Sequence, residues 1–379
     1  MKVIAFYLPQ YHTFKENNEW WGEGFTEWTN LKKAQPLFEN HYQPRIPLNK
    51  NYYNLLEDHV MEWQTKIAKE NGVYGFCFYH YWFDGHMLMQ KPMEKFLKNT
   101  NCDLNFCISW ANEHWTKAWV SKSDTVLIEQ KYGDEKQWTE HFNYFLQFFK
   151  DERYICEDNK PLLVIYRPEL IDCLQEMLDC WTKLAKKNGF NGMKYAFQHV
   201  SYDNLNKIDS RFDYAIEYQP AYARREYQSN TYTFLSNIKR KINTFTEKNF
   251  NISIDVHKYI GRNKGPLKIN YDDLWKSYLN RTPNKDIYIP GAFVDWDNTP
   301  RRQEGGSVFI GASPEKFKKY FNELVIKAKN IYKQDKIFIF AWNEWTEGGY
   351  LEPDEKYGYE YLKAIKNVLI ENDEFPKYK

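Results

Sequence analysis

One stretch of the chain joins acid–base groups to an unusual setting: Phe340-Ala341-Trp342-Asn343-Glu344-Trp345-Thr346-Glu347-Gly348. Two carboxylates three residues apart follow an apolar run and are flanked by two indoles. Glycosidic cleavage commonly uses two carboxylates, one protonated as general acid and one ionised. A turn after a strand would place both on one side, and Trp342 and Trp345 would form an apolar wall that raises the acid's pKa. Glu344 and Glu347 are therefore the candidate catalytic pair. The plainer reading is a solvated pair at a helix start, which the apolar run and the indoles disfavour.

Eight short apolar, β-branched and aromatic runs can position such a pair: residues 3–7, 74–79, 104–109, 162–166, 194–198, 213–217, 287–294 and 336–342. Several are almost continuously apolar, as strands buried on both faces are. Helical periodicities lie between them. Leu56, Val60, Trp63 and Ile67 form one, and Trp138, Phe142, Phe145 and Phe149 follow Asp134, a helix-starting residue. Alternating strands and helices imply a parallel sheet. Eight strands imply an α/β fold, a (β/α)8 TIM barrel. Long insertions follow strand one (residues 8–52) and separate strands six and seven (residues 221–286). No GxGxxG or P-loop follows a strand, which argues against a doubly wound sheet. Residues 1–379 are read as one catalytic barrel domain with a basic insertion at about 221–286.

Barrel sites lie at the carboxyl ends of the strands. Strand one and its long loop offer Tyr7, Gln10, His12 and Trp28. Strand two offers Tyr79, Tyr81 and Trp82, and strand three Trp110, Asn112 and Glu113. His199, Glu217, Asp295, Trp296, Trp342 and Asn343 complete the candidate substrate-binding set. Amides and carboxylates bond sugar hydroxyls, while indole and phenol faces cover the apolar C–H faces. Any one aromatic alone is ordinary barrel packing; their concentration at strand ends carries the reading.

Composition narrows the class. The chain has 14 Trp, 30 Tyr and 26 Phe, 18% aromatic in 379 residues, which excludes disordered and low-complexity classes. Lys and Arg number 52 against 51 Asp and Glu, so no nucleic-acid footprint covers the chain. The 221–286 insertion carries 13 Lys and Arg against 6 Asp and Glu. Such a segment would attract an anionic glycan or make a peripheral membrane contact; a solvated helical face at Lys239-Arg240-Lys241 is the alternative. No run approaches a spanning helix, and no signal segment opens the chain. The six cysteines form no CxxC pair, and His80, His114 and His199 show no ligand spacing, so no metal or cofactor is expected. A reduced, cytoplasmic protein is expected.

Six ordered motifs carry a family resemblance. They are Tyr7-Leu8-Pro9-Gln10-Tyr11-His12, Trp21-Gly22-Glu23-Gly24-Phe25-Thr26-Glu27-Trp28 and Gly75-Phe76-Cys77-Phe78-Tyr79-His80-Tyr81-Trp82. Trp110-Ala111-Asn112-Glu113, Trp296-Asp297-Asn298-Thr299-Pro300-Arg301-Arg302 and the Trp342–Gly348 stretch follow. From about residue 1 to residue 370 the chain resembles the WbsX-like family, which is similar to glycoside hydrolase family 99. The resemblance implies a (β/α)8 barrel that cleaves internal α-mannosidic bonds with retention. It implies a base acting on the sugar's own 2-hydroxyl through a 1,2-anhydro intermediate, with Glu344 as base and Glu347 as acid. WbsX-like proteins are also labelled glycosyltransferases of lipopolysaccharide, O-antigen or capsule biosynthesis. For that alternative Asp295-Trp296-Asp297 is formally a metal-nucleotide DxD, with Arg301 and Arg302 as phosphate contacts. A non-catalytic carbohydrate-binding barrel is the third reading. All three imply an oligosaccharide or polysaccharide partner.

Overall fold

The computed structural model describes residues 1–116, 125–200, 210–227 and 265–378. Nine parallel strand segments form its central sheet. They are β1 (Lys2–Tyr7), β2 (Val73–Phe83), β3 (Asn105–Trp110), β4 (Lys160–Ile165), β5 (Lys194–His199), β6 (Tyr214–Glu217), β7 (Tyr288–Ile289), β8 (Gly291–Phe293) and β9 (Lys336–Phe340). Their order is β7-β6-β5-β4-β3-β2-β1-β9-β8. The two outermost segments are consecutive pieces of the expected seventh strand, so the path closes on itself as a (β/α)8 barrel.

All eight expected strand positions are present, with the seventh split at Pro290. Proline has no N–H to give to a ladder. The chain therefore pairs with β6 before it and with β9 after it. Pro290 O still accepts from Phe338 N at 3.2 Å. At the joint, the Tyr278 hydroxyl accepts from Gly291 N at 3.1 Å and donates to Glu217 at 2.7 Å. Position 291 must be glycine, because a Cβ there would lie 2.0 Å from Glu217 O.

The helices are α1 (Lys15–Trp21), α2 (Glu27–Lys33), α3 (Asp58–Glu70), α4 (Gln90–Lys98), α5 (Glu135–Phe149), α6 (Leu174–Lys187), α7 (Ala221–Tyr227), α8 (Tyr271–Leu279), α9 (Thr299–Arg302), α10 (Pro314–Lys327) and α11 (Glu360–Glu371). Local chemistry starts them where the sequence indicates. Asp134 accepts from Lys136 N and Gln137 N, and the Gln137 side chain accepts from Asp134 N, a reciprocal cap for α5. Ser313 caps α10, with Pro314 at its first position. Phe142, Phe145 and Phe149 of α5 are buried. Burying each such ring contributes about 1.5–3 kcal/mol.

Strand alternation decides which side chains enter the barrel. Phe6 of β1 points inward, stacked on Tyr79 with ring centroids 5.6 Å apart, while the next residue, Tyr7, points out to Gln64 of α3. Gln198 of β5 bonds Ser109 of β3 across the interior at 3.0 Å. The 8–52 insertion carries α1 and α2 over the carboxyl ends of the strands and brings Glu27 there. Residues 228–264, most of the basic insertion, lie outside the described residues. No helix among the described residues is long and apolar enough to cross a membrane.

Candidate active site

The candidate pair sits on a compact excursion after β9. Asn343–Glu344 pairs antiparallel with Gly349–Tyr350, and a 3-10 turn, Trp345–Glu347, joins them. Gly348 ends the turn at φ 69°, a left-handed conformation, and a Cβ there would lie 2.7 Å from Asp297 N. That closeness lets Asp297 N donate to Glu347 O at 2.7 Å, so the turn is tied to the segment after β8. Behind the turn, Trp342 and Trp345 each donate an indole N–H to Glu352, at 3.1 and 2.7 Å. Gln64 and Tyr53 also donate to Glu352, at 2.7 and 2.9 Å. The expected indole wall is thus corrected: both rings face away from the cleft and hold the back of the turn.

Arg301 of α9 gathers three carboxylates. Its guanidinium donates to Glu27 at 2.9 Å and Glu347 at 2.7 Å, and stands 3.6 Å from Glu344 Oε2. Glu344 is 7% exposed and Glu347 20%, so Glu344 is the deeper. Burial pushes the Glu344 carboxyl well above the usual carboxylate range, and the neighbouring Glu347 pushes it the same way, against Arg301. Burial raises Glu347 too, with Arg301 opposing. Burial disfavours charge on Arg301, but the carboxylates outweigh it and raise its pKa. The Glu344 Oε2 atom is buried and has no hydrogen-bond partner. Arg301 thus favours the charged form of Glu347, which it bonds at 2.7 Å, more directly than that of Glu344 at 3.6 Å.

The pair faces a cavity of about 200 Å³ walled by Tyr79, Tyr81, Tyr166, Tyr218, Trp296 and Phe340, with Glu113, His114, Trp115 and Arg224 at its border. Tyr79 and Tyr218 are joined through their hydroxyls at 2.8 Å. A second cavity, about 430 Å³, is lined by Asn298, Arg301 and Arg302. The two share Glu113, His114, Tyr166 and Glu347, so space continues on both sides of Glu347. Together they fall within the range of ligand sites, about 300–1,000 Å³.

Of the sequence candidates, the structure brings Tyr79, Tyr81, Glu113 and Trp296 to this cleft beside Glu344 and Glu347. Glu113 is held there by Arg167 at 2.6 Å. The others do not line it, and strand alternation explains most of them. On β2, His80 and Trp82 face α5, where Trp82 stacks on His141 at 4.4 Å. Trp110 packs edge-on against His141 and Trp181. His199 turns to Tyr222 and Tyr288. Glu217 accepts from Tyr278 and Tyr332 behind the wall, at 2.7 and 2.8 Å. Tyr7 and Trp342 also point outward.

The remaining candidates tie loops together. Asn112 accepts from Arg167 N and donates to Arg167 O, both at 2.8 Å. Asn343 clamps Leu8 N and O. Trp28 donates to Tyr53 O, and the backbone carbonyl of buried Gln10 accepts from Glu27 N. His12 bonds Pro9 O, and burial lowers its pKa to about 4. Asp295 is paired with Arg45 at 2.7 Å. Asp297 accepts from His41, Gln43 and Thr299. The DxD carboxylates are therefore already engaged within the protein. Among the described residues no group of three or more His, Cys, Asp or Glu side chains is arranged to hold a metal ion.

Tyr166, Tyr218, Phe340 and Arg224 line the cleft without having been chosen, and Arg301 was read only as a phosphate contact. For the first three the sequence carries no facing signal, because both sides of their strands are buried; parity places them in the cleft only once one inward residue of the strand is known.

A family model described as Glycosyltransferase WbsX matches residues 3–365. The protein WxcX of Xanthomonas campestris pv. campestris, named as uncharacterized, is 32% identical over 373 residues in two strains. That similarity covers 97% of this chain and 49% of WxcX, so the chain spans about half the length of the curated relatives it matches. A solved structure, the GH99 endo-alpha-mannosidase from Bacteroides thetaiotaomicron, aligns with TM-score 0.56 at 13% identity, covering 97% of this chain and 96% of that one. Another, described as a glycoside hydrolase-like protein, aligns with TM-score 0.57 at 13% identity, covering 99% and 94%. At such identity the likeness shows the fold.

Proposed function

The chain belongs to the WbsX glycosyltransferase family, and on that premise we propose that it is a retaining, endo-acting glycoside hydrolase of a surface polysaccharide or glycan. The observation that carries this reading is the Glu344/Glu347 pair, bridged by Arg301, at an aromatic cleft that continues past Glu347 on both sides. Aromatic walls suit sugar C–H faces, and space on both sides of the acid suits a cut within a chain.

In the proposed reaction Glu344 takes the proton of the sugar's 2-hydroxyl, whose oxygen closes on the anomeric carbon. Glu347 gives its proton to the departing glycosidic oxygen. Water then opens the resulting 1,2-anhydro ring at the anomeric carbon, losing a proton to Glu347, while Glu344 returns one to the 2-oxygen. Two displacements give net retention. Arg301, 2.7 Å from Glu347 and 3.6 Å from Glu344, favours the charged form of whichever member has given up its proton.

Glu344→Gln and Glu347→Gln should each lower kcat on an oligosaccharide substrate about 10²–10⁴-fold. A glycosyl fluoride, whose leaving group needs no proton, should restore Glu347→Gln far more than Glu344→Gln. Full activity of either variant on the oligosaccharide would sink the reading, and equal rescue of both would remove the assigned roles.

The family's name favours a second reading, transfer of a sugar to an acceptor. A nucleotide-sugar route would ask Asp295 and Asp297 to leave Arg45, His41 and Gln43. Manganese-dependent consumption of a sugar nucleotide, lost in Asp297→Asn, would put this reading first.

A further inference from the structure

Among the described residues, the arginines around the cleft that are at least partly buried are matched with carboxylates, except one; Arg302, in the second cavity, is also unpaired but exposed. Arg45 pairs with Asp295, Arg167 with Glu113 and Glu169, and Arg301 with Glu27 and Glu347. Arg224 has no such partner: no hydrogen bond or ion pair among the described residues takes up its guanidinium. It projects from α7, directly after β6, and lines the aromatic cavity together with both candidate catalytic glutamates. Its guanidinium carbon lies 5.3 Å from the centre of the Trp296 ring.

Burial lowers the pKa of Arg224, and the charge of Glu347 only partly offsets this. At 5.3 Å the guanidinium is within cation–π range of the Trp296 ring. The N–H groups of Arg224 have no protein acceptor among the described residues and are free to donate to a ligand, and a partly desolvated cation is relieved most by an anion. Glu347 is not that anion in this arrangement, because it is paired with Arg301 at 2.7 Å. The Arg224 fork suits the planar, two-oxygen geometry of a carboxylate or phosphate, which a lone hydroxyl cannot match.

We propose that Arg224 selects a glycan bearing an anionic substituent, a carboxylate or a phosphate ester, on the sugar ring held between Trp296 and the glutamate pair. The inference rests on the reading of this cleft as a glycan site and adds the charge of its substrate. Arg224 is thereby a specificity-determining residue: it touches the substituent and leaves bond cleavage to the glutamates.

The test is calorimetric binding of matched methyl glycosides in gluco, manno and galacto configuration, each as the neutral sugar, its 6-carboxylate and its 6-phosphate. In the unaltered protein an acidic member of at least one series should bind about 10- to 100-fold more tightly than its neutral parent, the range of a charge-assisted hydrogen bond. Arg224→Gln should erase that preference while keeping the affinity for the neutral parent. Arg224→Lys should keep part of it, which guards against a Gln variant that merely folds poorly. The relative strength of the carboxylate and phosphate series identifies the substituent. Neutral sugars binding as tightly as the acidic ones, or Arg224→Gln weakening both alike, overturns the proposal. Such a result leaves the glycan reading standing, since that reading is tested separately and fails if either Glu344→Gln or Glu347→Gln retains full activity.

Discussion

Arg301 stands between two buried glutamates, 2.7 Å from Glu347 and 3.6 Å from Glu344. It lowers the pKa of both carboxyls against the burial that raises them. Its loss should therefore move the acidic limb of the kcat/KM profile to higher pH, because the required carboxylate would form later. A neighbouring arginine typically depresses a carboxyl by about 1–3 units, so Arg301→Gln should shift the limb by about that much, with a lower maximum. An unmoved limb with reduced kcat would mean that Arg301 only holds shape. At this scale the sequence was partly legible. The two glutamates stood out because an ExxE with two indoles is rare after an apolar strand. Arg301 was visible only as half of a basic doublet, since the carboxylates it joins come from α2 and from the turn after β9.

Elements explain which candidates missed the cleft. The periodicity of the strands was plain in the sequence, and all eight were placed within a few residues. Facing was the lost information. Tyr79 and Tyr81 enter the cleft while His80 and Trp82 back onto α5, and no apolar/polar alternation marks the difference because both sides of β2 are buried. Glu217 and Tyr218 repeat the lesson at β6. The turn after β9 was anticipated, but not its dependence on Gly348. Gly348→Ala would place a methyl group 2.7 Å from Asp297 N, in a left-handed conformation. It should cost about 1–3 kcal/mol of stability and should lower kcat, because the glutamates shift with the turn. Denaturant unfolding together with kinetics checks this; an unchanged midpoint and unchanged kcat would contradict it.

For the whole molecule, buried carboxyls bind stability to pH. Burial lifts Glu217 to about 7 against three tyrosine hydroxyls that lower it. Its unfolded value is about 4.3, so the folded state holds a proton that the unfolded chain releases between these values. This contribution is full below about pH 4 and is lost as pH rises to about 7, roughly 4 kcal/mol in all. Glu217→Gln cannot titrate. Its Tm relative to the unaltered protein should therefore rise by a few degrees between pH 5 and pH 8. A Tm difference that stays constant over that span would show that Glu217 has an ordinary pKa.

The joint at Pro290 gives this proton a wider reach. The barrel is a belt, and its buckle is two short strand segments meeting across a residue that cannot donate to a ladder. One phenol, Tyr278, touches both the buckle and Glu217. A change of charge at Glu217 therefore acts on the same hydroxyl that holds the joint where the belt fastens.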